Sequence, residues 1–471
     1  IDDYYVSVEN SEYEIINNSD IKIRTKSENF EGYDIEPLSD LHLKASNLKG
    51  IKYEAYNPGI SNIVPQLKAA LSTFNMEGVK GQNTNWEDFG KWMYNKLITG
   101  TDVIPQSVID EIKALTANTT TNLEKAQQVY QYMQDKTRYI SVQVGIGGWK
   151  PMDATDVDKL GYSDCKGLTN YTKALLEAVD VPSYYTVVWG DSDLKSIDKD
   201  FSVTEGNHVI LCVPNEDENI FLECTSQTNP FGFTAGFTDD RDVLLVTPEG
   251  GKIVHTKVYG AKESQQITTA TINFGKTGNL EADVTIKTTG YQYALHEAIV
   301  NKSVRDQKLA YKEYWDNINN LDIVSIDIDN NKQDVVLTEN IKVNASNYAS
   351  KSGNRLILMP NMFNRVTNIP PRYDNRNLDF KVQRAYEDID QFIINLPEGV
   401  EVEAMSEGET IENKFGKYTY NLEKLEGNKL KYSRTYLMHK GNYGKDEYDA
   451  FRDFKKQIVK LDKSKIVLKI N

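Results

Sequence analysis

Three side chains in the middle of the chain could together do nucleophilic chemistry. Cys165 stands in GYSDCKGLTNYT, His208 in GNHVILCVP and Glu223 in FLECTS. A thiol attacks as the thiolate, and with an ordinary pKa near ~8.5 little of it is ionised at neutral pH, so something must stabilise S⁻. A helix start does part of this: its free backbone N–H groups and macrodipole favour negative charge, and the cysteine's own N–H can face a developing oxyanion. At Asp164-Cys165 a turn passes into a helix, with the Asp164 side chain as its cap. An imidazole would then serve as base and a carboxylate would orient it, the division of labour of a Cys-His-acid triad.

The neighbouring elements must bring these groups together. The spacing of Leu168, Thr172, Leu175, Leu176 and Val179 predicts a helix from about Cys165 to Val179, stopped by Pro182. SYYTVVWG, HVILCVP and IFLECT read as three strands, the last two separated by the polar loop NEDEN. If 208–213 and 220–225 form an antiparallel hairpin with His208 opposite Glu223, both side chains emerge on one face. Cys212 then shares the face of His208 and Cys224 points away, so these two cysteines read as small buried hydrophobes rather than a disulfide. His255 and His296 have no thiol nearby and read as surface residues. Upstream, TRYISVQVGIGGWKP reads as a strand running into a glycine-rich loop. Gln143 and the indole N–H of Trp149 are its available second oxyanion donors; Trp149 serves equally as a cleft wall or packing, Gln143 as an outward-facing strand residue.

The bulk numbers bound the possibilities. At 471 residues the chain should hold about three domains. With 69 acidic against 54 basic residues, a net charge of −15 repels nucleic acid and anionic membrane surfaces. No run of about 18 apolar residues is present, so no membrane-spanning helix is expected. The opening IDDYYVSVEN has neither Met nor a signal-like basic and apolar pair, so any export signal is expected to lie outside this sequence. Three cysteines leave at least one free thiol. No Cys or His pairs stand at ligand spacing, so neither metal nor cofactor is expected. DIDNN at 327–331 lacks the glycine and final glutamate of a calcium loop and reads as an exposed turn, and Asn344-Ala345-Ser346 formally matches a glycosylation sequon.

Residues 1–80 read as a β-rich N-terminal domain lacking its beginning, with YYVSV, YEII, IKIRT and IKYEAY as short strands. The core, 81–260, starts with three helices. Thr84 with Glu87 forms a capping box before Trp86, Phe89, Met93 and Leu97; Val108, Ile109, Ile112 and Leu115 mark the second; Thr121 with Glu124 caps the third, which carries Leu123, Ala126, Tyr130 and Met133. From 261 to 471 strands predominate, read as β-sandwich in one or two modules, with helical patches around 291–318 and at Tyr448, Phe451, Phe454, Ile458 and Leu461.

The order Cys, His, acid on helix, strand, strand resembles the transglutaminase-like cysteine peptidase superfamily. SDCKGLTNYTKALLEAVDVPSYYTVV is similar to its cysteine helix and following strand, and NHVILCVP with FLECTS to its histidine and acid strands. TRYISVQVGIGGWKP is similar to a Bacteroidetes cell-envelope branch in which a β-rich domain precedes this core and β modules follow. The detailed resemblance covers about residues 80–250. It implies an α+β protein: a transglutaminase-like, papain-like core of helices on an antiparallel sheet, flanked by β-sandwich modules. It further implies a thiol-dependent amidase, peptidase or acyl transferase acting on peptides or proteins, in the periplasm or at the cell surface. The competing reading is a binding or scaffold protein whose β modules do the work while the core has decayed, since the β flanks make up more than half the chain. Two departures stand out. Ser163 replaces the branch's usual glycine before Asp-Cys, and Glu223 stands where the superfamily usually has Asp.

Overall fold

The computed structural model describes residues 3–216 and 218–471. Ile1, Asp2 and Asp217, which fall in the opening stretch and the NEDEN loop, lie outside the described residues. The fold is α+β, and the chain divides into two compact units, one of residues up to Tyr53 with Gly59–Val258, the other of Glu54–Pro58 with Tyr259–Asn471.

The first unit opens with short strands. Val8–Glu14, His42–Leu48 and Asp34–Ser39 form a three-stranded sheet, Ile23–Glu28 pairs with Gln66–Leu71, and Thr73–Met76 turns back into Val79–Gln82. That last turn is Glu77-Gly78 with φ of 49° and 87°, the two positive values that a two-residue hairpin loop matching the strand twist requires.

The helices follow. The first, Trp86–Met93, is capped by Asn85, whose side chain accepts from the Asp88 N–H, one residue later than the predicted Thr84 box. Asn85 takes the place because it is the last extended residue and Asn is as good a cap as Thr. The Thr121–Glu124 box is present in full at the start of Asn122–Lys136. A further short helix, Ala154–Leu160, escaped the sequence reading: only Ala154 and Val157 are buried, and its Thr and Asp residues are weak helix formers. The predicted strand of TRYISVQVGIGGWKP shrinks to Arg138–Tyr139, paired with Tyr162–Ser163, and gives way to a 3₁₀ turn at Gly145–Gly148. The alternating pattern continues, but without a partner strand it cannot remain a ladder.

The centre of this unit is an antiparallel sheet of five strands in the spatial order Ile220–Leu222, His208–Val213, Tyr184–Val188, Asp242–Thr247, Gly250–His255. The helix Cys165–Glu177 lies on one face, where Leu168, Tyr171 and Leu175 join Leu211, Val213, Leu222 and Cys224 in one buried cluster. Ile210, Cys212, Phe221 and Val243 form a separate cluster. A third gathers Trp86, Phe89 and Leu97 with Cys165, Tyr185 and Val209. Here the first helix presses on the sheet so closely that a Cβ on Gly90 would lie 2.2 Å from the backbone of Gly251.

In the second unit an eight-stranded sheet runs Leu321–Asn331, Val336–Ala345, Leu280–Thr288, Gln265–Phe274, Tyr386–Asn395, Lys429–Met438, Gly416–Leu425, Gly408–Asn413. All neighbours are antiparallel except the central pair, Gln265–Phe274 with Tyr386–Asn395. Burial alternates strictly along Val336–Ala345, the mark of a sheet with one covered face. Residues 327–331 belong to a strand rather than an exposed turn, since the ladder to Val336–Ala345 extends through Asn331. Near the middle, Arg434 is fully buried opposite Asp390, with Asp462 of the helix Tyr448–Asp462 at 3.3 Å.

Candidate active site

Cys165 is the first residue of its helix, buried at 4% exposure, and Asp164 is the cap, its Oδ1 accepting from the Gly167 N–H at 3.1 Å. The other carboxylate oxygen pairs with the Lys166 ammonium, and both side chains are almost fully buried. The thiol therefore stands at the positive end of a three-turn helix whose capping carboxylate is already neutralised, so the cap opposes a thiolate less.

Ser163 precedes the cap and is buried against Gly167: a Cβ there would sit 2.1 Å from the Ser163 hydroxyl. The serine that departs from the related pattern is thus accommodated by a glycine four residues on.

His208 opens its strand and Glu223 follows the last residue of the next. Both carboxylate oxygens approach the imidazole Nε2, at 3.0 and 2.8 Å. The strand register differs from the expected one. Leu211 pairs with Leu222 and Cys212 with Phe221, which places Glu223 opposite Ile210 rather than His208. The offset is two residues, so the parity survives, and the length of the glutamate side chain spans the diagonal. The extra methylene relative to Asp has a use at this register.

Glu223 is held from several sides. Thr225 donates to its Oε1 through both N–H and hydroxyl, and the Tyr130 hydroxyl donates to the Glu223 carbonyl at 2.8 Å. Burial alone would push this carboxyl up, but His208 and the Thr225 bonds reverse that and hold it below its usual range. Burial would likewise lower the imidazole; the Glu223 charge and the hydrogen bond to Cys165 outweigh it and raise its pKa to about 10. With Nε2 committed to Glu223, Nδ1 is the nitrogen left for the thiol. The ring of Phe237 lies 5.3 Å from the imidazole, centroid to centroid, and is itself 43% exposed.

The remaining sequence-named residues separate. Trp149 is half-buried and packs against the cluster that contains Cys165. Gln143 is exposed, and among the described residues no contact ties it to the thiol. Cys212 and Cys224 are free and buried, and burial pushes each thiol up to about 12, as inert core cysteines. His255 is exposed between Asp240 and Asp242. His296 is not a surface residue: it is largely buried and bonded to Glu339, a partner 43 positions away in sequence. Lys166, Thr225 and Phe237 escaped the sequence reading, although a threonine two positions after a carboxylate is a recognisable local-bond spacing. Among the described residues no cluster of side chains suits a metal ion, and no helix is long and apolar enough to cross a membrane.

Comparison with known proteins agrees at the level of fold. A family model described as "Domain of Unknown Function with solved-structure structure (DUF3858)" matches residues 354–468. No curated protein matches the chain. A crystal structure of a candidate protease from Parabacteroides distasonis is similar over 98% of this chain and 70% of that one, at 13% identity and a TM-score of 0.51. A candidate cysteine protease from Cytophaga hutchinsonii shares 11% identity over 53% of this chain and 81% of its own, at a TM-score of 0.23, and only the first likeness bears on the fold. The α+β architecture is consistent with a transglutaminase-like fold.

Proposed function

We propose that the chain is a thiol-dependent amidase or peptidase of transglutaminase-like type, with Cys165 as nucleophile, His208 as acid and base, and Glu223 as the carboxylate that orients it. The observation that carries this reading is the buried His208–Glu223 pair, both oxygens within 3.0 Å of Nε2, beside a thiol at a helix start. The Cys165 sulfur attacks the amide carbon, forming the C–S bond as the thiol proton resides on His208. The imidazolium then protonates the amine, the C–N bond breaks and a thioester remains. Water, or a second amine, gives its proton back to the imidazole as it attacks the thioester and releases the thiol. The Cys165 N–H faces the developing oxyanion, with Trp149 as the second candidate donor. Peptides or proteins are the substrate class, and the periplasm or cell surface of a Bacteroidetes-type organism is the proposed location. A peptide-electrophile probe screen tests the reading. Covalent labelling at Cys165 that is lost in His208→Ala supports it; ordinary slow alkylation that is indifferent to His208 would refute it and leave a scaffold protein.

A further inference from the structure

The second unit contains a cavity of about 550 Å³ between the helical crossover Gly290–Tyr314 and one face of the eight-stranded sheet. Its floor is chemically unusual for a sheet face packed under helices. Gln266, Glu339 and Asp388 are all at most 7% exposed, and Gln266 and Asp388 stand side by side on the central parallel pair. Packing alone would favour valine or leucine here, because each buried polar group costs free energy unless it is bonded.

Each floor group is held by a residue of the crossover. Gln292 donates to Asp388 at 2.7 Å, Tyr314 meets Gln266 at 3.0 Å, and His296 Nδ1 bonds Glu339 at 2.7 Å while the Tyr311 hydroxyl takes the other oxygen. Gly290, which opens the crossover, has φ of +50° and meets the Glu263 carbonyl so closely that no side chain fits, so the backbone there is fixed. The result is a ring of oriented amides, carboxylates and one imidazole around open space, the composition of a pre-formed binding pocket. His296 retains Nε2, and Gln292 its carbonyl oxygen, for a further bond. Tyr291 and Tyr386 add ring surface to the lining, and Leu295, 58% exposed, stands among the lining residues nearest solvent.

The charge pattern selects the ligand class. Glu339 is bonded by His296 and Tyr311, and Asp388 accepts from Gln292 in a cluster with Asp390, Arg434 and Lys455, where burial pushes its carboxyl up to about 7 and so toward the neutral acid. Among the described lining residues the one lysine, Lys302, is exposed, and the Arg384 guanidinium is already stacked on the Tyr291 ring at 4.8 Å, so the interior offers neither a cation for an anionic ligand nor an uncompensated anion for a cationic one. What remains is a set of neutral donors and acceptors beside aromatic rings. We propose that this cavity binds a neutral saccharide of one or two rings, its hydroxyls meeting the amides and His296 and its apolar face a tyrosine ring. This site is independent of Cys165.

The test uses the full chain and saturation-transfer NMR with glucose, N-acetylglucosamine and maltose, with glucuronate and choline as charged controls. A neutral sugar should give a signal that the charged compounds do not. Gln292→Leu should weaken its binding about tenfold, one lost hydrogen bond. Leu295→Trp, which alters only an exposed residue, should block it with the melting temperature unchanged, and Cys165→Ala should leave it intact. No signal from any of the three sugars, preferential binding of choline or glucuronate, or sugar binding that survives Leu295→Trp would each overturn the proposal.

Discussion

Replacing Glu223 by Gln changes one atom type in a carboxylate whose surroundings are fully specified. The amide oxygen can still accept from the Thr225 N–H, so the local fold should hold. The negative charge beside His208 is lost, and with it the main force raising the imidazole's proton affinity against burial. Each tenfold in that affinity is worth about 1.4 kcal/mol, and the imidazole is lifted from its ordinary value of 6.5 to about 10 jointly by Glu223 and Cys165. If Glu223 contributes most of that rise, several kcal/mol of support for the imidazolium disappears. A rate loss on the order of 10³ to 10⁴ follows, about 4–5.5 kcal/mol in the barrier. Glu223→Asp keeps the charge but must reach across the two-residue diagonal with a shorter side chain, and should cost about 10- to 100-fold, within the loss expected for a stretched charged hydrogen bond. The assay is turnover of a peptide amide together with iodoacetamide labelling of Cys165 from pH 5 to 9, around the ordinary pKa of a thiol near ~8.5. Wild type should label faster than Glu223→Gln across this range. If Glu223→Gln keeps wild-type turnover and labelling while Cys165→Ala abolishes turnover, the carboxylate assignment is wrong and the site is a Cys–His dyad.

Stability should depend on pH through the same pair. His208 has a folded pKa above its unfolded 6.5, so its contribution is complete below 6.5 and is lost as pH rises through about 10; thermal melts should show a decline over that window that flattens in His208→Gln. Lys166→Met leaves the Asp164 carboxylate buried without its cation and should cost about 3–5 kcal/mol in urea unfolding, whereas a change within ~0.5 kcal/mol would mean the pair is solvated. Gly167→Ala alone should destabilise by about 1–3 kcal/mol through the clash with Ser163, and the double change with Ser163→Gly should restore most of that; equal melting temperatures for the single and double variants would exclude the clash. Arg434→Met strips the cation from Asp390 and Asp462 and should cost about 3–5 kcal/mol, read by denaturant unfolding of the full chain.

What was legible from the sequence is what depends on local pattern. The Thr121 capping box, the cysteine at a helix start and the side-chain parity of the histidine and acid strands all follow from spacings of two to four residues. Register does not, because it is set by the length of the 214–219 connection and by where each strand ends. Parity tolerates an error of two, which is why the wrong rung still placed His208 and Glu223 together. The Thr84 cap failed for a related reason: Asn85 and Thr84 are comparable caps, and the choice between them rests on which residue is the last extended one.

The larger omissions are contacts between residues far apart in the chain. Glu339 and His296 meet only because the crossover helices lie on the sheet, and neither residue carries a sign of the other in its neighbourhood. The same holds for Arg434 with Asp462, 28 positions on, and for Phe237 against His208. A buried charge reads as a surface charge until its partner is known, because its burial is tolerable only once that partner is in place. Ser163 shows the rule at short range. It departs from the related pattern at the turn before the cysteine helix, and Gly167, four residues on, supplies the space it needs. Compensation of this kind is invisible position by position, and it appears as soon as the two sites are considered as one.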